Sequence, residues 1–185
     1  MDRAVISGHD ATHDGEINMS EVTTTLELSG GMLVGHDGSP ASSEAVHWAA
    51  RLAERLDCPL HVIRTWSISS APRPASATGG YVPPMADFEA AVADRLRSDI
   101  AALNLPEGVE VECHAVHGSA GRRLLEVSKG AHMLVLGTRG GGGFRGLGFG
   151  STADQVVRHA VCPVVVVPVA GEDDPDDLDS QLRSR

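Results

Sequence analysis

Short apolar runs alternate with amphipathic helical segments between residues 31 and 170, and this alternation limits the fold more than any other feature. Met32 to Gly35 is apolar and runs into the turn Gly35-His36-Asp37-Gly38. Ser39 then offers an N-cap oxygen, and Pro40 suits the first helical position. Ala45, Trp48, Leu52 and Leu56 recur at helical spacing until Cys58-Pro59 breaks the pattern. Leu60 to Trp66 alternates like a strand. A second helix is marked by Met85, Phe88, Val92, Leu96, Ile100 and Leu103, and a third strand by Val109, Val111, Cys113 and Ala115. Gly118-Ser119 opens a short helix through Leu124, Leu125 and Val127, followed by a fourth strand, Met133 to Leu136. Ala153, Val156, Val157 and Ala160 mark a fourth helix, and Cys162-Pro163 leads into the all-valine run Val164 to Val167. Such a chain predicts a doubly wound α/β domain: a parallel sheet, right-handed crossovers and helices on both faces. The fourth strand is almost wholly apolar, as burial on both faces requires.

Charge separates the ends from this core. The 185 residues carry a formal net charge of −10. Residues 1–30 hold six acids and one Arg, residues 171–185 six acids and two Arg, and residues 31–170 are nearly balanced. We expect an acidic mobile extension over 1–30, a domain over 31–169 and an acidic disordered tail over 170–185. Glu21 to Leu28 has the pattern of a short additional strand, and His9 and His13 read as solvated. The negative balance argues against a nucleic-acid partner. No apolar run approaches the ~20 residues of a membrane span. The N-terminus lacks the basic and apolar regions of a secretory signal. Three scattered cysteines (Cys58, Cys113, Cys162) fit a reduced compartment, so the expected location is cytoplasmic.

The segment richest in chemistry runs from Gly137 to Ser151. It leaves a strand and enters a helix, the junction where α/β sheets bind ligands. Seven residues between 140 and 150 are glycine, which lets backbone N–H groups turn toward an anion. Gly150-Ser151 then presents the free N–H groups and positive end of the fourth helix, and Arg139 and Arg145 add positive charge. A solvent-exposed connector is the other reading of such a loop. Gly141-x-Gly143-x-x-Gly146 spells the dinucleotide fingerprint but follows the fourth strand, and no acidic residue stands where ribose binding needs one. A phosphate-binding P-loop is excluded because the only lysine, Lys129, precedes the loop.

Gly137, Gly140, Gly150 and Ser151 satisfy Gly-x2-Gly-x9-Gly-Ser/Thr, and here the chain resembles the ATP-binding members of the universal stress protein family. Val34-Gly35-His36-Asp37-Gly38-Ser39 is similar to the family's first strand and turn, and Arg158 to Val167 to its C-terminal signature. The resemblance implies a five-stranded sheet of order 3-2-1-4-5, the adenine nucleotide alpha hydrolase-like fold. It implies that Asp37 contacts the nucleoside, with Gly35 allowing close approach and a backbone group near Thr65 facing the adenine. Gly137, Arg139, Gly140 and Gly143 would wrap the phosphates, capped by Gly150, Ser151 and Thr152. From the residues alone, Asp37 reads equally as an Asx turn after a strand. The chain departs from the family at His132, where an acid is usual, and at Thr152, where Val is common. Gly141, Gly142 and Gly148 are additional glycines.

No catalytic constellation stands out: G-x-S-x-G is absent, and neither His159 with Cys162 nor Cys113 with His114 completes a zinc set. His36 reads as a solvent-facing turn residue. We therefore expect ATP binding, with Mg2+ carried by the phosphates, and at most slow hydrolysis. Val164 to Val167, as the last strand of that order, leaves an apolar edge. The resemblance implies a homodimer that covers it. The long segment 67–84 reads as a lid or as a plain loop. The alternative function is a dimeric interaction module of the same fold without nucleotide. A related adenylating enzyme is disfavoured, since Ser29-Gly30-Gly31 precedes the first strand.

Overall fold

The structure is a computed structural model and describes residues 22–138 and 149–168. Strands β1 (Met32–Gly35), β2 (Leu60–Trp66), β3 (Val111–His117), β4 (Met133–Gly137) and β5 (Val164–Val167) form one parallel sheet in the order β3-β2-β1-β4-β5. Helices α1 (Pro40–Leu56), α2 (Met85–Ala101), α3 (Ala120–Val127) and α4 (Ser151–His159) connect them, with a 3-10 turn at Ser128–Gly130. The expected doubly wound α/β class and the implied strand order are both present.

Side-chain alternation along the strands builds two apolar layers. Met32, Val34, Leu60 and Val62 point toward α1 and α2, where they meet Ala45, Ala49, Ala53 and Leu96. Leu33, Ile63, Leu134 and Leu136 point the other way, onto Leu124 and Val127 of α3 and Val156 of α4. Both layers draw on β1 and β4, so these strands are buried on both faces. Four fully buried alanines on α1 (Ala45, Ala49, Ala50, Ala53) let its axis lie close to the sheet. Ser39 caps α1, its Oγ accepting the N–H of Ser42 at 3.2 Å, and Pro40 takes the first position. The helix ends at Asp57, which adopts φ 50° and donates to the carbonyls of Ala53 and Glu54.

Three boundaries differ from the sequence pattern. β3 begins at Val111 rather than Val109, because Val109 is held in the preceding turn by its bond to the Pro106 carbonyl. α2 stops at Ala101, and Leu103 packs beneath its end. Residues 22–28 form no strand among the described residues. Their burial alternates, and the His117 N–H ties them to the sheet through the Thr23 carbonyl at 2.8 Å. Leu26 and Leu28 join the layer under α3 and α4.

Candidate functional site

β1 and β4 are neighbours, yet α1 turns to one face of the sheet and α4 to the other. A crevice therefore opens beyond their C-terminal ends, the topological switch point of such sheets. On the β1 side, Asp37 is exposed in the turn. Its Oδ1 accepts the Ser39 N–H at 3.0 Å, while its own N–H donates to Ser42 Oγ at 3.4 Å. The Asx turn is thus present, and it fixes the carboxylate at the head of α1. Gly38 follows at φ +88°, a conformation that L side chains rarely adopt.

On the β4 side, the Thr138 N–H donates to Val167 O at 3.1 Å, and the Gly150 N–H donates to Thr138 O at 2.9 Å. The glycine-rich segment therefore leaves and re-enters the fold at one point. Gly150 is the extended N-cap of α4 (φ −67°, ψ 159°), and among the described residues no side chain caps that end. The first-turn N–H groups of Ser151 and Thr152 thus have no intrahelical partner and stand at the positive end of the helix dipole. Ser151 is exposed and Thr152 half-buried. Arg139, Gly140 and Gly143 lie outside the described residues.

Two of the motif glycines have protein neighbours of their own. A Cβ on Gly35 would sit 2.7 Å from Leu136 Cδ2 and 3.4 Å from Leu124 Cδ1. One on Gly137 would sit 2.6 Å from the Ala41 carbonyl carbon and oxygen. Gly137 is thus the point where the first turn of α1 rests on β4, joining the Asp37 turn to the base of the glycine loop. Thr65, half-buried on β2, lies two residues past Ile63, the partner of Gly35.

His36 is a correction. Expected at the solvent, it is only 3% exposed. Sheet bonding runs one residue past β1, with the His36 N–H donating to Ile63 O at 2.9 Å. The ring therefore alternates, like Val34, onto the α1–α2 side. Its Nδ1 is buried without a hydrogen-bond partner among the described residues. Burial lowers its pKa below the ordinary histidine value, and Arg64 acts in the same direction; Asp99 and Asp37 oppose. Arg64 pairs with Asp99 at 3.1 Å, and Arg95 holds the other carboxylate oxygen at 2.7 Å. The Arg64 guanidinium lies about one van der Waals contact from Gly38, 3.5 Å from where its Cβ would be. This ion pair beside the Asp37 turn had no signal in the sequence beyond a polar residue near the end of an apolar strand.

A five-stranded sheet of this order, flanked by four helices in two layers, is the adenine nucleotide alpha hydrolase-like fold. A family model for the universal stress protein family matches residues 31–168, and the chain belongs to that family. A universal stress protein of Mycolicibacterium smegmatis is 37% identical over 142 residues, covering 74% of this chain and 47% of the relative. One from Mycobacterium tuberculosis is 33% identical over 143 residues, with the same shares. The chain thus spans about half the length of the curated relatives it matches. Among solved structures, the universal stress protein UspA of Lactobacillus plantarum superposes with a TM-score of 0.58 at 22% identity, over 77% of this chain and 99% of that one. A universal stress protein in complex with cAMP superposes with a TM-score of 0.53 at 22% identity, over 77% and 98%. No helix among the described residues is long and apolar enough to cross a membrane.

Proposed function

We propose that this chain is a cytoplasmic regulatory protein of the stress response that binds an adenine nucleotide, ATP with Mg2+, at the β1–β4 switch point. The observation that carries this reading is the end of α4. It has no side-chain cap among the described residues, and Gly150 pins it to Thr138 at the end of β4, the neighbour of the strand that leads into the Asp37 turn. Backbone donors and Ser151 and Thr152 hydroxyls suit phosphate oxygens. The exposed Asp37 carboxylate suits a ribose hydroxyl, and Thr65 stands on the next strand toward the base. Arg139, Gly140 and Gly143 complete the phosphate loop in this reading, and Gly35 and Gly137 keep the walls close. Mg2+ rides on the phosphates and needs no protein cage. A fold neighbour that holds cAMP supports an adenine nucleotide in this family. Hydrolysis is at most slow, and the bound state acts as a signal. The edge of β5, where Val164, Val165 and Val166 stay partly exposed, is the surface we assign to homodimerisation.

Ser151→Pro gives a direct test. Proline is tolerated at a first helical position, and Gly150 already has the extended conformation that a following proline requires. The substitution deletes one N–H and one hydroxyl while leaving α4 intact. Nucleotide released from freshly purified protein is identified by mass spectrometry, and ATP binding is titrated calorimetrically. We expect saturable binding that weakens at least about tenfold in Ser151→Pro and in Asp37→Ala, one charge-assisted contact being worth about 1.5–3 kcal/mol. Equal binding in both variants, or none in the wild type with its circular dichroism intact, refutes the reading.

A second reading has one observation behind it. Gly35 and Gly137 are demanded by Leu136 and Ala41 whether or not a ligand is present. On that reading the chain is a dimeric interaction module without nucleotide. Light scattering showing a dimer, together with no ATP titration signal, would select it; monomer mass alone at micromolar concentration would remove the dimer from both.

A further inference from the structure

At the opposite end of the sheet, three side chains that could bind a metal converge. β2 and β3 pair in parallel, with His61 opposite Glu112 and Ile63 opposite His114. Alternation puts His61, Glu112 and His114 on the same face as Ile63, and Cys113 on the other, among the residues under α1 and α2. His61 Nδ1 lies 3.3 Å from His114 Nε2. Glu112 Oε2 lies 3.5 Å from His61 Nδ1 and 3.6 Å from His114 Nε2. Protons alone join this trio poorly. One proton can bridge the two facing nitrogens, and the carboxylate oxygen stands beyond the 2.7–3.2 Å of a good N–H···O bond to either ring.

The three separations suit a cation instead. A triangle with edges of 3.3, 3.5 and 3.6 Å has its centre about 2.0 Å from each corner, and zinc bonds to imidazole nitrogen and carboxylate oxygen at about 2.0–2.2 Å. An ion drawn slightly out of that plane reaches these lengths and gains room for a fourth ligand. His61 is buried and its ring is wedged against the Gly31 backbone, where a Cβ would sit 2.8 Å from Nε2. Glu112 remains 46% exposed, which leaves a path for the ion and a water. We propose that His61, Glu112 and His114 form a divalent transition-metal site, zinc first by its two imidazoles and one carboxylate. The ion would clamp the edge strand β3 to β2. The site sits at the N-terminal half of these strands, apart from the switch-point crevice, and does not depend on nucleotide.

The test uses the full chain, stripped with chelator and free of nucleotide. Zn2+ is titrated calorimetrically, Co2+ by its visible absorption, and thermal unfolding is followed with and without Zn2+. We expect one equivalent to bind at micromolar concentration and to raise the melting temperature. Glu112→Gln, at a half-exposed position, and His114→Gln should each weaken binding at least about tenfold, the loss typical even of a supporting group at a metal site. A His9→Gln/His13→Gln variant should bind as the wild type does. Undiminished binding in Glu112→Gln and His114→Gln, with loss in the His9/His13 variant, would overturn the site. So would the absence of saturable binding in a wild type that is folded by circular dichroism.

Discussion

Replacing Gly137 by alanine separates what the motif glycines do for the protein from what they do for a ligand. The added Cβ would sit 2.6 Å from both the carbonyl carbon and the oxygen of Ala41, and 2.9 Å from its Cβ. Carbon atoms prefer about 3.5–4.0 Å, so the shortfall is about 1 Å. Two of the three neighbours are backbone atoms, and no rotamer change relieves them. The first turn of α1 must lift from β4, or β4 must bend between its partners β1 and β5. Overpacking of this kind costs about 1–3 kcal/mol. For a chain of this size each kcal/mol moves the melting temperature by about 2–4 °C, so a fall of about 2–12 °C is expected. The assay is thermal unfolding by circular dichroism in nucleotide-free buffer. A melting temperature within about 1 °C of wild type would refute the packing argument, and a simultaneous loss of ATP binding would then assign the glycine to the ligand alone.

Ser39→Ala removes the oxygen that accepts the Ser42 N–H at the head of α1; a loss of about 1 kcal/mol in urea unfolding is expected, and no change would discount the cap. Gly130→Ala would place a Cβ on the Leu28 carbonyl oxygen. We expect residues 22–30 to detach and become the first site of limited proteolysis, with a digestion pattern identical to wild type as the contrary result. Stability should fall as pH drops below the ordinary histidine value of about 6.5, because unfolded His36 gains a proton that the folded ring, with its pKa lowered mainly by burial, refuses. The slope from this one group is at most about 1.4 kcal/mol per pH unit, from pH 6.5 down to the lowered folded value. His36→Phe should flatten it, leaving the part due to His114, whose pKa burial also lowers. An unchanged slope in urea midpoints would show that Asp99 and Asp37 hold the proton on His36 against burial and Arg64.

Where the chain marks its own punctuation, the elements could be read directly. Ser39-Pro40, Cys58-Pro59 and Cys162-Pro163 flank α1, β2 and β5, whose bounds match the sequence pattern. The start of α4 was legible only as a glycine-serine signature, since its N-cap, Gly150, has no side chain to announce it. His36 was misplaced because Gly35-His36-Asp37-Gly38 looks like a turn from its first residue, whereas the bond to Ile63 O keeps His36 in the sheet. The His61–Glu112–His114 trio was invisible for a different reason. Its members sit on two strands whose paired residues, such as His61 and Glu112, are far apart in sequence, and only the register of β2 against β3 brings them level.

The glycines set the sharper limit. A missing side chain signals that something approaches closely, without saying whether the visitor is a phosphate or a leucine. At Gly35 it is Leu136, and at Gly137 it is the backbone of Ala41. Variants at these two positions therefore perturb the fold whatever the chain binds, and a lost ATP signal in either counts toward a nucleotide site only where the melting temperature is unchanged. Asp37 and Ser151 are both exposed; Ser151 stands at a helix start that accepts substitution, whereas Asp37→Ala also removes the acceptor of the Ser39 N–H, so its melting temperature is read alongside its binding. Changes there leave the layers under α1 and α3 untouched. A nucleotide at the switch point is therefore tested at Asp37 and Ser151, where loss of binding can be told from loss of packing.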